Sequence, residues 1–459
     1  PACLGQANRV LRCFKLCGAA AALAARNVAA IAEITEGKRE HLLRASYANA
    51  PGGIIPYLVA ECPRRKAIIV SVRGTVSMED LITDLLSNPV DVGDWMPKWV
   101  HAANKDGEPL LAHAGIVASA TAVLRDIEAC GLLREMLAAS FKRRAAAAVA
   151  RGATAGGATA ASPFDAAPQQ AEAMGRSGLA EAFAGGPSAS PAPPAQSEAS
   201  SSQAQPQARV EEESGTLRLD GKEAAARARR IVRDRLERDG WRVIVTGHSL
   251  GAAVACMLSF HLKQHLEDLE CWAFCPPGGL MSWNLSRIAG TFCTSVVVGK
   301  DVISRLSFSN LKRVVDEMVL ALARCRRPKL AILADIMLKR RGKNRVPPDT
   351  FCPVDEMSDE ALLALERYHQ ESYLHQSSPP EMYPPGNIVF LRPFKDTGKD
   401  TEWDAVWVDA AVLMGEGILL APSMLSSHRL FNLTAALDLV LSDIEKPQDK
   451  DKVDHAGLL

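Results

Sequence analysis

A serine stands between two glycines at the end of an apolar run: Val243-Ile244-Val245-Thr246-Gly247-His248-Ser249-Leu250-Gly251-Ala252. The β-branched run reads as a strand and the residues from Ala252 on as a helix, so G-x-S-x-G falls on a strand-to-helix turn. A turn that sharp leaves no room for side chains at Gly247 or Gly251, and it lifts Ser249 Oγ to the strand's C-terminal end, facing the helix N-terminus. Unbonded N–H groups and the positive end of the helix dipole favour an oxyanion there. The chemistry offered is nucleophilic attack on an acyl carbonyl.

A neutral hydroxyl is a weak nucleophile, so it needs a base, and the base needs an orienting acid. On a turn of this kind the partners follow in the order serine, acid, histidine. Asp301 lies just past the strand-like Thr294–Val298 and is the candidate acid, with a turn cap as its plainer role. Six histidines follow Ser249. His261 and His265 stand at i, i+4 like a metal pair, but no glutamate follows His261 and no third ligand is evident, so an exposed helix face directed away from Ser249 is expected. His369 and His375 fall in a segment expected to be irregular, and His455 in a charged tail. His428, after the apolar run Gly417–Leu425, is the candidate base. For the oxyanion, the Leu250 N–H needs a second donor, and Thr75 supplies one at the end of the strand-like Val70-Ser71-Val72-Arg73-Gly74-Thr75. The pattern requires no cofactor and no metal, and it contains no EF-hand-type loop.

Several short apolar runs suit the strands that must hold these residues: Ile54–Ala60, Ala67–Val72, Arg242–Thr246, Cys271–Phe274, Thr294–Val298, Asn387–Leu391 and Ala405–Asp409. Helical patterns at Met78–Ser87, Gly115–Cys130 and Ala252–Leu269 alternate with them. Alternation of this kind predicts an α/β fold, a mostly parallel sheet with helices on both faces. Residues 46–445 are expected to form that domain, 1–45 a basic helical segment, and 446–459 a charged tail. Between 151 and 208, 40 of the 58 residues are Ala, Gly, Pro or Ser, too few core formers to offset the entropy of ordering, so a disordered insertion is expected. Helical segments, Leu132–Ala150 and Lys222–Asp239, flank it and place it within one domain. A second insertion spans 306–385, and its stretch Leu311–Arg345 holds 11 Lys/Arg against 3 Asp/Glu. That stretch is either a solvated helix pair or a basic amphipathic surface for anionic lipid headgroups.

Equal numbers of Lys+Arg and Asp+Glu, 53 each, argue against a chain-wide nucleic-acid footprint, and no nucleic-acid partner is expected. No charge-free run of 18 apolar residues occurs, so a membrane span within this chain is not expected. Eleven scattered cysteines, odd in number, read as reduced intracellular thiols. The first 32 residues carry Arg9, Arg12, Lys15 and Arg26 and no acid. They suit an organelle-targeting remnant, a plastid included, but better a basic helix left from a longer N-terminal region.

The R-G-T run at Arg73–Thr75 with the residues following to Leu85, His113-Ala114-Gly115, G-H-S-L-G-A and Asp301–Leu306 together resemble the class 3 lipases. Cys271–Leu280, Thr291–Leu306, Arg327-Pro328-Lys329, Tyr383–Gly386 and Leu419–His428 are similar to sn-1-specific diacylglycerol lipases. The resemblance runs from about Ser46 to Val440, apart from the Ala/Pro/Ser insertion. It implies an α/β-hydrolase fold, Ser249 as nucleophile, Asp301 as acid, His428 as base, and a diacylglycerol ester as substrate through an acyl-enzyme. It further implies a lipid partner, a membrane surface on the cytoplasmic side, and openness to calcium stimulation. By the same analogy the helix near Ser77–Ser87 is a movable lid, the insertion after Asp301 a regulatory loop, and Trp95 and Trp99 either seat the rim in the interface or simply pack. The four membrane helices that precede the catalytic domain in animal members have no counterpart in this sequence. Two alternatives stay open: a phospholipase A1 or galactolipid lipase of the same fold, and a non-catalytic hydrolase-fold scaffold.

Overall fold

A computed structural model of the chain describes residues 41–46, 55–74, 89–154, 222–328, 330, 350–372, 375, 379–396 and 401–445. In chain order the strands are β1 (Leu42–Ser46), β2 (Tyr57–Cys62), β3 (Ala67–Val72), β4 (Val90–Asp91), β5 (Leu111–Ala112), β6 (Arg242–His248), β7 (Glu270–Phe274), β8 (Cys293–Val298), β9 (Asn387–Asp396) and β10 (Thr401–Val408). The α-helices are α1 (Lys98–Ala103), α2 (Ala114–Ala129), α3 (Leu132–Thr154), α4 (Lys222–Glu237), α5 (Leu250–Lys263), α6 (Trp283–Ala289), α7 (Phe308–Ala323), α8 (Asp359–Glu371), α9 (Ala410–Gly415), α10 (Met424–Ser427) and α11 (Leu430–Glu445).

Eight strands form one sheet in the order β1-β2-β3-β6-β7-β8-β9-β10. The centre is parallel from β3 through β9, and antiparallel pairs close both ends. Parallel neighbours need crossovers, and helices supply them on both faces, so the central strands are apolar on both sides. In β3, Ile68, Val70 and Val72 point into the larger core with α2 and α5, while Ala67 and Ile69 point into the second core with α11. Val243 and Val245 against Ile244 repeat that alternation in β6. Helix α11 reaches the second core through Leu433, Ala436, Leu437 and Val440, the i, i+3, i+4, i+7 stripe of an amphipathic helix. Burying its two leucines stabilises the docking by roughly 2 kcal/mol each. Helix α5 is buried on every side from Leu250 to Phe260, as befits the helix that carries the serine turn through the middle of the molecule.

The predicted strands all appear, with shifted ends: β2 starts three residues later than expected, and β9 and β10 run on as a hairpin. Two expectations are corrected by the structure. The sheet begins at Leu42, so the boundary drawn after residue 45 cuts through β1; its five-residue run LLRAS was too short to separate from a helix by pattern. The elbow helix ends at Lys263 rather than Leu269. Of the two roles left open for the tryptophans, packing is the one observed: Trp95 is 3% exposed and donates its indole N–H to Thr121 Oγ1, and Trp99 packs on Phe260 and Phe292. The Ala/Pro/Ser insertion beyond Thr154, the lid segment, the basic leader and the charged tail lie outside the described residues. No described helix is long and apolar enough to cross a membrane.

Candidate active site

The parallel strands end together, and the chemically able residues are gathered at that edge. Ser249 follows β6 directly, with φ 57° and ψ −131°, a conformation costly for a residue with a side chain. Close packing holds it there. A Cβ on Gly247 would collide with the Gly251 carbonyl, and a Cβ on Gly251 with the Val72 carbonyl and the Arg73 backbone, so β3, β6 and α5 meet at contact distance only because both are glycine. The Ser249 N–H donates to the Phe274 carbonyl at 3.0 Å, tying the turn to β7. Leu250 opens α5, where its N–H has no carbonyl a helical turn earlier to bond.

Ser249 Oγ lies 2.9 Å from His428 Nε2, and His428 Nδ1 lies 3.0 and 3.1 Å from the two Asp301 carboxylate oxygens. All three side chains are buried: Asp301 completely, Ser249 and His428 to within 8%. With Nδ1–H donating to the carboxylate, Nε2 is left to accept from the serine hydroxyl. Burial alone would raise the Asp301 carboxyl. The charge of His428 and hydrogen bonds from that ring, the Cys275 thiol and the Ile303 N–H outweigh it and hold the group below the usual carboxylate range. Ser304 Oγ also donates to it, at 3.0 Å. The Cys275 thiol, sealed at the end of β7, is pushed up by burial and by the nearby Asp301, so it stays protonated as a donor. Asp301 thus sits in a ring of donors that keeps it ionised and fixed.

His248, the residue between Gly247 and Ser249, was not singled out from the sequence. Its Nε2–H donates to the His428 carbonyl at 2.8 Å, and its ring lies 4.7 Å from that of His428. Burial and the charge of His428 lower its pKa to about 3, so it stays neutral. It holds the backbone of the loop that carries the candidate base. That loop and the acid loop are also braced together. The fully buried Arg305 donates to the Asp301 carbonyl at 3.3 Å and pairs with Glu416 at 2.7 Å, and Asn310 Nδ2 bridges the Arg305 and Met414 carbonyls. No spacing pattern identifies these roles, because each depends on contacts between segments 104 to 180 residues apart.

Ser249, Asp301 and His428 therefore come together, with Leu250 beside them. Thr75 lies outside the described residues. His261 and His265 do not form an exposed face: His261 meets the Trp95 ring edge-on at 4.1 Å, and burial lowers its pKa to about 4. His369 is helical, in α8, and His375 bonds Asp316 on α7, so this part of the second insertion is ordered packing rather than irregular chain. Arg324 and Arg326, two of the basic residues considered for headgroups, bond the Cys352 carbonyl and Glu356 respectively.

Buried neutral histidines make stability depend on pH. His248 near 3, and His113 and His261 near 4, lie well below the unfolded value of about 6.5. Between those limits the unfolded chain binds more protons than the folded one, so their contribution is complete above pH 6.5 and is lost as pH falls toward 3–4. Asp301, held low, contributes above the ordinary carboxylate value and loses that contribution only at still lower pH. The expected Tm by scanning calorimetry is flat above pH 7 and falls steadily from pH 6.5 to 4.5, with a shallower fall in His261→Phe. A Tm independent of pH across that range would contradict the neutral burial of these rings.

A serine on a strained strand–helix turn, with imidazole and buried carboxylate in line behind it, on a sheet of this order, is the arrangement of the α/β-hydrolase fold. The class 3 lipase family model matches residues 199–311, which include the serine turn and Asp301. The chain is similar to diacylglycerol lipase-alpha of Rattus norvegicus, 30% identical over 213 residues that make up 44% of this chain and 20% of the relative. It is similar also to diacylglycerol lipase-beta of Mus musculus, 31% identical over 250 residues, 48% of this chain and 37% of the relative. The chain thus matches between a fifth and about a third of these relatives' length. Among solved structures it is similar to a lipase from Rhizopus microsporus var. chinensis, with 14% identity, a TM-score of 0.32, and coverage of 66% of this chain and 68% of that one.

Proposed function

We propose that the chain is a serine lipase that hydrolyses an acyl ester of diacylglycerol, at the sn-1 position by its likeness to the diacylglycerol lipases, through an acyl-enzyme. The carrying observation is the unbroken line of hydrogen bonds from Ser249 Oγ through His428 to the buried Asp301. His428 Nε2 takes the hydroxyl proton as Oγ bonds to the ester carbonyl carbon. The oxyanion that forms accepts from the Leu250 N–H, with the Thr75 N–H as the second donor. When the tetrahedral species collapses, His428 returns its proton to the departing alcohol, which leaves as monoacylglycerol. Water, deprotonated by the same ring, then releases the fatty acid. Asp301 balances the imidazolium charge in both halves without taking a proton. No step draws on a metal or cofactor.

The substrate lies in a bilayer, so the enzyme must meet a lipid surface. Leu420, Leu425 and Phe431, 52–81% exposed, flank His428 in sequence and offer apolar contact for it. Leu420→Ser with Phe431→Ser is expected to weaken binding to diacylglycerol-containing vesicles several-fold while leaving hydrolysis of a water-soluble short-chain ester near the parent rate. Equal vesicle binding by the double variant would move the docking surface elsewhere.

The experiment for the function itself is labelling with a fluorophosphonate, followed by product analysis on vesicles of diacylglycerol, phosphatidylcholine or galactolipid. Labelling with monoacylglycerol and fatty acid from the first vesicle alone is expected. Preferential turnover of phosphatidylcholine or galactolipid would replace the substrate, and a folded chain that neither labels nor turns over any of them would be a non-catalytic scaffold.

A further inference from the structure

Away from Ser249, three side chains of metal-binding type converge on the excursion between Asp301 and His428. Asp316 on α7, His369 in the last turn of α8 and His375 just beyond α8 each offer one ligand atom, and these atoms lie within 4.8 Å of one another. His375 Nε2 is 2.9 Å from Asp316 Oδ1, and the two imidazole rings meet edge-on with centroids 4.7 Å apart. Tyr368 OH donates to the same carboxylate oxygen at 2.8 Å, the kind of outer contact that orients a ligating carboxylate. Asp316 and His369 line an open groove of about 610 Å³ between α7 and α8, so an ion has a path in.

A hydrogen bond from His375 to Asp316 explains two of the three residues. It does not explain His369, which among the described residues makes only ring contacts, with Tyr368 and His375, yet presents a ligand nitrogen to the same spot. Two imidazoles and one carboxylate make a mixed nitrogen–oxygen set that suits zinc, with a fourth tetrahedral position left for water. Calcium prefers six to eight oxygens and finds too few here. Ligands about 2.1 Å from a tetrahedral ion stand roughly 3.4 Å apart, so the cluster closes around one by side-chain rotations on the order of an ångström.

We propose that Asp316, His369 and His375 form a zinc site that clasps α8 and the chain after it to α7. On binding, His375 exchanges its Nε2–H bond to Asp316 for a metal bond, with its ring proton moving to Nδ1. Each imidazole binds the ion through an unprotonated ring nitrogen and the carboxylate binds it ionised. The site is separate from the Ser249 chemistry and independent of the lipase reading. Its role is to fix the excursion that leaves the sheet after the candidate acid.

The test uses the full chain with any affinity tag removed, titrated with zinc chloride in competition with a chromophoric chelator, and with Tm followed in parallel. One equivalent bound at micromolar affinity or tighter, with a raised Tm, is expected. His369→Ala, which breaks no hydrogen bond among the described residues, should weaken binding at least tenfold, and His369→Ala with His375→Gln should abolish it. Calcium chloride should leave Tm unchanged. Parent-like zinc binding by His369→Ala, or no binding by the parent, overturns the proposal. Zinc held instead by the second such group, His248, Cys275 and His428 beside Ser249, would survive His369→Ala and block fluorophosphonate labelling, and that result overturns it too.

Discussion

Ser249→Ala is expected to abolish fluorophosphonate labelling and to cut turnover by roughly 10⁴-fold or more, with His428→Ala costing a similar factor. The two changes should not add, because serine and base act as one unit: without the ring the hydroxyl keeps its proton, and without the hydroxyl the ring has nothing to activate. The local geometry makes the serine change a clean probe. The strain at Ser249 is borne by its backbone, in a turn fixed by Gly247, Gly251 and the bond to the Phe274 carbonyl, and alanine leaves all of these in place. Circular dichroism and Tm should therefore match the parent. A folded Ser249→Ala protein that still releases fatty acid from diacylglycerol would refute the mechanism, and near-normal turnover in His428→Ala would assign the base elsewhere.

Asp301→Asn is expected to lose on the order of 10⁴-fold in turnover, through the ring it no longer orients. An amide of the same shape can turn its N–H₂ toward His428 Nδ1, which then accepts and leaves Nε2 protonated and unable to take the serine proton. This substitution should also lower stability, unlike the serine change. The carboxylate accepts from His428, the Ile303 N–H, the Ser304 hydroxyl and the Cys275 thiol, and one amide oxygen cannot serve them all. Each buried donor left without a partner costs about 1–3 kcal/mol. Calorimetry and single-turnover acylation together check the pair of effects. Turnover within tenfold of the parent would remove Asp301 from the acid's role.

Local pattern made some of this structure legible and left the rest hidden. The buried strands β3, β6 and β8 announce themselves as β-branched runs and β7 as a short apolar one, and the glycine spacing around Ser249 encodes a close approach that only one backbone geometry satisfies. Asp301 and His428 could be singled out as candidates by chain order because each follows an apolar stretch. β1 was missed because five residues on a sheet edge carry little periodicity. The sequence leaves the tryptophans open between rim and core, because an indole near a lid and an indole in a core have the same neighbours in sequence; only the contact of Trp99 with Phe260, 161 residues on, separates them. His248, Cys275 and Arg305 escaped notice for the same reason, since their parts depend on which loops meet at the strand ends.

The brace at Arg305 has a consequence for how this chain tolerates change. Between Ser307 and Gly386 the chain leaves the sheet and comes back. Its departure is secured by Asn310 on the Arg305 and Met414 carbonyls. Its return is secured by Ser286 and Ser295, whose hydroxyls hold the Pro384 and Pro385 carbonyls. With both doorposts fixed to the frame, whatever hangs between them can be lengthened, shortened or exchanged without disturbing the alignment of Asp301 with His428. The excursion is in effect a socket, and natural variation or an engineer could exchange what it carries while the Ser249 centre stays as it is.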